Sequence, residues 1–205
     1  LDNFPISNVD RLSQLFDFTF DLSVHDVFVS FSSHSTLILP NRNEQALPFK
    51  YIKENKISVF FCVPSTAQIM VDLGILNKNV FPDLKLSLFC GEPLNSSLAN
   101  IWADAAPKSE VYNLYGPTEA TIAFTFYKFE KKQQHNYKSN IVPIGMPFKG
   151  LSCFIEKQSK KDDFGELILH GDQVTLGYLN DRKLTDKYFP KAISSKNCLI
   201  NDQIS

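Results

Sequence analysis

Apolar runs of strand length recur along the first half of the chain, each followed by a segment of helix length. This alternation limits the fold more than any other feature of the sequence. Residues 57 to 63 read Ile-Ser-Val-Phe-Phe-Cys-Val, rich in β-forming types and stopped by Pro64, as a buried strand does. Ser65 or Thr66 is placed to cap a helix that runs through Leu73 and ends at Gly74. Leu84 to Cys90 is then a second strand, Asn95 to Ala105 a helix, and Val111 to Leu114 a third strand. Upstream, Thr36 to Leu39 is a short strand candidate, and Glu44 to Asn55 reads as a helix that tolerates Pro48 only near its first turn. Strands spaced by helices of this length predict an α/β fold with a largely parallel sheet flanked by helices.

The texture changes between Lys128 and Asn140, a polar and charged stretch without apolar periodicity. The expected organisation is an α/β subdomain over 1–130, a polar linker over 131–140 and a partial β-rich subdomain over 141–205. In the last zone Leu151 to Glu156 and Gly165 to His170 are strand-like and separated by a charged turn, and Asp181 to Tyr188 is a short helix.

Composition removes several function classes. The 205 residues are 43% hydrophobic and carry a formal net charge of -1, enough for a sizeable core but without the one-signed field that draws nucleic acid or an anionic membrane. The apolar runs fall far short of the ~20 residues a membrane span requires. Cys62, Cys90, Cys153 and Cys198 show no C-x-x-C spacing, which suits reduced thiols and a cytoplasmic address. The chain opens on Leu1 without an initiator Met and closes on a polar stretch, as a piece of a longer polypeptide would.

Chemistry concentrates in Asn113-Leu-Tyr-Gly-Pro-Thr-Glu119, which follows directly on an apolar strand. In an open α/β sheet the ligand crevice lies beyond the carboxyl ends of the strands, and Gly116-Pro117 makes a tight turn there. Thr118 is suited to a phosphate oxygen, Glu119 to Mg²⁺, and Tyr115 to the flat face of a purine. An ordinary Gly-Pro turn with a capping Thr reads equally well from spacing alone.

The segment NLYGPTEAT resembles the adenine and phosphate signature of the adenylate-forming superfamily, which includes acyl-CoA synthetases, luciferases and the adenylation domains of peptide synthetases. Phe20-Asp21-Leu22-Ser23 is similar to the F-D-x-S segment of its amino-acid-activating members, PIGMP around Gly145 agrees, and GELILHGDQVTLGYL resembles a further family segment. FDLSVHD, VPS and LFCGE look most like the branch that ligates D-alanine to a carrier protein. Carried over by position, the resemblance implies that Asn113, Tyr115 and Gly116 contact the nucleotide, Thr118 the α-phosphate and Glu119 the magnesium, with Gly91 and Glu92 also on the cofactor side. Asp21 is expected to pair with the substrate ammonium, although a helix N-cap before Leu22 is the alternative at that position. Leu22, His25, Cys62, Leu88, Cys90, Leu114, Ile122 and Ala123 are expected to face the amino acid.

His25 replaces the methionine usual in that branch, changing both the volume and the polarity of the pocket. The implied activity is formation of aminoacyl-AMP from ATP, with Mg²⁺, followed by transfer to the phosphopantetheine thiol of a carrier protein. A small neutral amino acid is expected, D-alanine first among candidates. A non-catalytic binding remnant of the same fold and an acyl-CoA synthetase-like ligase are the alternatives. A hydrolase built on His25 or His34 is disfavoured, because no G-x-S-x-G elbow is present. The family's phosphate loop and catalytic lysine have no counterpart in these residues, so the piece alone is expected to be inactive.

Overall fold

The computed structural model describes residues 3–131, 139–157, 159 and 164–189. The first half alternates strand and helix: β1 (Arg11–Ser13), α1 (Leu22–Ser33), β2 (Thr36–Ile38), α2 (Arg42–Ala46), α3 (Phe49–Glu54), β3 (Val59–Cys62), α4 (Pro64–Asp72), β4 (Leu86–Phe89), α5 (Ser96–Ala105) and β5 (Glu110–Tyr115). It continues as β6 (Thr125–Lys128), β7 (Met146–Pro147), β8 (Ser152–Glu156), β9 (Glu166–His170) and α6 (Arg182–Tyr188). Among the described residues, β1 to β7 form one sheet in the order β2-β1-β3-β4-β5-β6-β7. The first five strands pair in parallel, while β6 and β7 are antiparallel. β8 and β9 form a separate antiparallel pair, with Ser152 opposite His170 and Glu156 opposite Glu166. The α/β expectation therefore holds.

Both faces of the sheet are buried, and side chains alternate between two cores. Phe60, Cys62, Phe89 and Val111 point to the face covered by α4 and α5, whereas Val59, Phe61, Leu88, Cys90 and Leu114 point to the other, where Leu22 and Val29 of α1 pack. Trp102 anchors the first core: its ring stacks on Phe60 at 5.4 Å, meets Phe89 edge-on at 5.4 Å, and its Nε1 donates to Ser87 Oγ at 2.8 Å.

A buried carboxylate fixes the amino-terminal segment to the sheet. Asp10, 3% exposed, accepts from Ser7 N (2.8 Å), Ser58 Oγ (2.8 Å) and Lys85 Nζ (2.6 Å). Burial alone would raise the Asp10 pKa, but the hydrogen bonds from Lys85, Ser7 and Ser58 and the Lys85 charge outweigh it, and the net shift is downward.

Local chemistry explains where the elements depart from expectation. The helix expected over Glu44 to Asn55 is two helices, because Leu47, which precedes a proline, is extended (φ -141, ψ 90). A capping box of Asn41 and Glu44 starts the first of them. α4 begins at Pro64 in the first helical position and takes no side-chain cap from Ser65 or Thr66. β1, β6 and β7 carry no long apolar run: β1 is Arg-Leu-Ser, and its buried Ser13 Oγ accepts from Phe61 N at 3.0 Å. The first sheet also reaches past the expected linker, since β7 pairs with β6 and Val142 is buried in the first core. Residues 132–138 and 190–205 lie outside the described residues.

Two stability measurements follow from these contacts. Trp102→Ala removes the largest fully buried side chain and should cost about 3–5 kcal/mol, read as a lowered urea midpoint. The folded pKa of Asp10 lies below its unfolded value, so its contribution is complete above the ordinary carboxylate range and is lost as pH falls through the folded value. Asp10→Asn should lower stability at neutral pH and flatten the loss of stability below about pH 4, read by unfolding at stepped pH.

Candidate active site

Parallel strands release their following segments at one edge of the sheet, which places residues 14–21, 63–64, 90–95 and 116–124 together. The last of these reverses the chain between β5 and β6. Gly116 is required by contact: a Cβ there would lie 2.8 Å from Ala123 Cα and 2.8 Å from Phe124 N. Thr118–Ala120 form a single 3₁₀ turn, and Phe124 N closes the reversal on Tyr115 O at 2.7 Å. Thr121 (φ 58) and Ile122 (φ 70) are then consecutive β-branched residues in the left-handed region, a strain of about 1–3 kcal/mol apiece.

Distant residues hold this turn. The Gln173 side-chain nitrogen donates to the carbonyls of Ala120 (3.3 Å), Thr121 (3.1 Å) and Ala123 (3.1 Å), and Thr121 Oγ1 returns a bond to Gln173 O at 2.8 Å. Thr175 N donates to Glu119 O at 2.8 Å, and Tyr178 Oη to Glu119 Oε1 at 2.6 Å. The Tyr178 hydrogen bond is the chief reason the Glu119 carboxyl titrates below its ordinary value. Gln173 and Tyr178 were not among the residues singled out from sequence. They lie within GDQVTLGYL, but nothing in that string says which side chain reaches back about fifty residues.

Most of the expected substrate residues come together. Leu22, Leu88, Cys90 and Leu114 share one core cluster, with Ile122 and Ala123 packed against it. Cys90 is 1% exposed, its Sγ 3.9 Å from Ile122 O, and burial with the nearby Asp21 charge pushes its thiol up to about 12 against the Gly91 and Gly116 N–H groups. Such a thiol stays protonated and is not a nucleophile. Cys62 is the exception. It occupies the opposite face, in the core with Phe60 and Trp102, because side chains alternate along β3 and its partner in register is Phe89. The expectation that it faces the amino acid is corrected.

The remaining expected residues divide between exposed and internally engaged. Asp21 precedes α1 in helical geometry (φ -62, ψ -25) and its side chain makes no cap hydrogen bond, so the N-cap alternative is not realised. Tyr115 is 36% exposed, and Thr118 is exposed at the turn. Asn113, expected at the adenine, is 3% exposed and donates both side-chain N–H groups inward, to Val142 O and Pro143 O at 3.0 Å each. Glu92, expected on the cofactor side, accepts from Ser65 N (2.8 Å) and Ser65 Oγ (2.9 Å) and so covers the first turn of α4. Gly91 beside it has φ +87, a conformation that side chains rarely adopt.

A cavity of about 550 Å³ opens beside this cluster, lined by Phe4, His25, Leu114, Ile122, Ala123 and Phe148 among others. Among the described residues no three His, Cys, Asp or Glu side chains cluster as a metal site would. A single carboxylate at Glu119 nonetheless fits Mg²⁺, which protein commonly holds by one or two carboxylates together with substrate phosphates. Among the described residues no helix is long and apolar enough to cross a membrane.

Residues 2–179 match the family model described as AMP-binding enzyme. The chain belongs to the AMP-binding enzyme family. The D-alanine--D-alanyl carrier protein ligase of Bacillus licheniformis is 32% identical over 195 residues, covering 92% of this chain and 38% of that protein. The Vibrio cholerae adenylation domain AlmE, solved in complex with glycyl-adenosine-5'-phosphate, superposes with a TM-score of 0.81 at 35% identity, over 91% of this chain and 36% of AlmE. The structure of IdnL7 gives a TM-score of 0.80 at 30% identity, over 84% of this chain and 36% of IdnL7. The chain thus spans little more than a third of the length of these relatives. Family membership makes the chain part of an adenylate-forming ligase fold.

The strap predicts a local effect. Gln173→Ala should speed amide exchange of Ala123 and Phe124 by about ten-fold or more, the loss of a bond network worth roughly 1–3 kcal/mol, while amides of β4 and α5 keep their protection. Equal acceleration throughout would show that Gln173 supports the whole fold and not this turn.

Proposed function

We propose that the polypeptide containing this chain activates a small neutral amino acid with ATP, forming aminoacyl-AMP and releasing pyrophosphate, and then passes the aminoacyl group to a carrier-protein phosphopantetheine thiol. The observation that carries this reading is the Asp21 carboxylate, left uncapped by the helix it precedes, close enough to Cys90 for its charge to act on that thiol. A carboxylate spared from capping, beside the apolar cluster that holds Leu22 and Cys90, is a partner for an ammonium group, which cannot enter such surroundings unpaired. Relatives named for ligating D-alanine, and AlmE with its bound glycyl adenylate, support an amino acid of small size, with D-alanine the first to test.

In the first step a carboxylate oxygen of the amino acid attacks the α-phosphorus, forming the acyl–phosphate bond as the bond to the β-phosphate oxygen breaks and pyrophosphate departs. The nucleophile is already ionised, so no general base is required. Asp21 orients the ammonium end, the 116–124 turn presents backbone and Thr118 to the phosphate side, and Tyr115 offers a partly exposed ring to the adenine. Asn113 serves by holding residues 142–143 against β5, which keeps the floor of the nucleotide side fixed. Magnesium bound at Glu119 would neutralise phosphate charge. In the second step the carrier thiol, as thiolate, displaces AMP from the acyl carbon.

The test is amino-acid-dependent exchange of labelled pyrophosphate into ATP, run on the complete reading frame that contains this sequence. Exchange should depend on one or a few small amino acids, and fall at least ten- to hundred-fold in Asp21→Ala, the scale of a lost charge-assisted hydrogen bond. Exchange that is absent with every amino acid but present with a simple carboxylic acid would favour an acyl-activating ligase. Retained ATP binding without any exchange would favour a non-catalytic relative.

A further inference from the structure

α6 buries none of its side chains, yet the chain before it is shaped to receive it. The Asp181 side chain accepts from Leu184 N at 2.9 Å and starts the helix. Thr185 Oγ1, one turn on, accepts from Tyr178 N (2.9 Å) and donates to Asp181 O (2.8 Å). Gly177 permits this approach: its φ is +134, and a Cβ there would lie 2.4 Å from Thr185 Cγ2. Tyr188 at the end of the helix and Phe189 just beyond it stand edge-on to the Tyr178 ring, at 6.5 Å and 5.5 Å. These contacts converge on Tyr178, from its backbone to its ring.

Tyr178 in turn reaches Glu119. Its Oη donates to Oε1 at 2.6 Å, while Thr175 N holds the Glu119 main chain at its carbonyl, 2.8 Å away. Glu119 is half-buried on a single 3₁₀ turn, which by itself leaves a long side chain free among its rotamers. Gripped at main chain and carboxylate together, it loses that freedom. The bond is made at one carboxylate oxygen, which leaves Oε2 for a cation. A hydroxyl is also neutral, so it fixes the direction of the carboxylate without cancelling its charge as a Lys or Arg partner does. Among the described residues no Lys or Arg forms an ion pair with Glu119.

Building on the reading of Glu119 as the carboxylate that takes magnesium, we propose that Tyr178 is a positioning residue for the cation, acting through Glu119, and that α6 is the support that aims it. Groups that hydrogen-bond a ligating carboxylate are worth about ten- to hundred-fold in metal affinity, because they hold the ligand ready before the metal arrives. Tyr178 does this from a segment more than fifty residues away in sequence, with its own ring held by a helix that has no place in either core. The gain belongs to the metal-dependent part of nucleotide binding, and ATP without metal draws nothing from it.

The experiment measures ATP binding to the complete reading frame by titration calorimetry, once in excess Mg²⁺ and once in EDTA, and takes the ratio of the two affinities. Tyr178→Phe, which removes one oxygen atom, should lower that ratio about ten-fold or more by weakening the magnesium-dependent binding alone. Thr185→Val, which loosens the support and leaves the hydroxyl in place, should lower it by less. Glu119→Gln should lower the ratio at least as far as Tyr178→Phe, and combining the two should change nothing more, since the tyrosine acts through the carboxylate. A ratio unmoved by Tyr178→Phe, equal weakening with and without Mg²⁺, or effects of Tyr178→Phe and Glu119→Gln that add, overturns the positioning role while leaving magnesium at Glu119. A ratio unmoved by Glu119→Gln overturns magnesium at Glu119 and the role of Tyr178 with it, whereas amino-acid activation stands or falls separately on pyrophosphate exchange.

Discussion

β5 is the strand on which the site depends, because it must satisfy two opposite neighbours. On one side it pairs in parallel with β4, and on the other it receives β6 antiparallel, with Tyr115 opposite Thr125. Parallel pairing sends a chain away to re-enter the sheet from the far end, whereas antiparallel pairing demands immediate reversal. The reversal has to be made in residues 116–124, at the edge where the other parallel strands also end. Gly116 for lack of a Cβ, the left-handed Thr121 and Ile122, and the inward bonds of Asn113 all answer that one demand.

Alternation across the sheet explains why neighbouring cysteines differ. Cys62 and Cys90 end adjacent strands, with Cys90 N donating to Cys62 O at 3.3 Å, yet Cys62 stands in register with Phe89 and so faces the same way as that ring. Cys90 is one residue further along and faces α1. Side chains alternate faces along a pleated strand, so the one-residue offset from that register reverses the outcome.

What could be read from sequence followed the strength of local signals. β3, β4 and β5 are plain from their apolar runs and α5 from its length, because in those segments local preference and tertiary burial agree. Pro48 is plain in the sequence, but the extended backbone it imposes on Leu47 is not. β1 and β7 are two or three residues long and exist only because β3 and β6 pair with them, so no local pattern could mark them. The Asn113–Glu119 segment was legible as a site because strand, turn and chemistry coincide there. The grip of Gln173 and Tyr178 on it was not, since hydrogen bonds across such separations leave no trace in spacing.

Gln173 closes a circuit of 50 residues back to Ala123, and the entropy of that circuit has a consequence for how the chain can vary. The cost of closing a flexible loop grows only with the logarithm of its length, about 0.6 kcal/mol for each doubling. Lengthening a connection inside the circuit by a handful of residues therefore changes the closing free energy by a small fraction of what the three carbonyl bonds and the Thr121 return bond contribute together. The connections between β6 and β9 are free to gain or lose length while the turn they enclose keeps its shape.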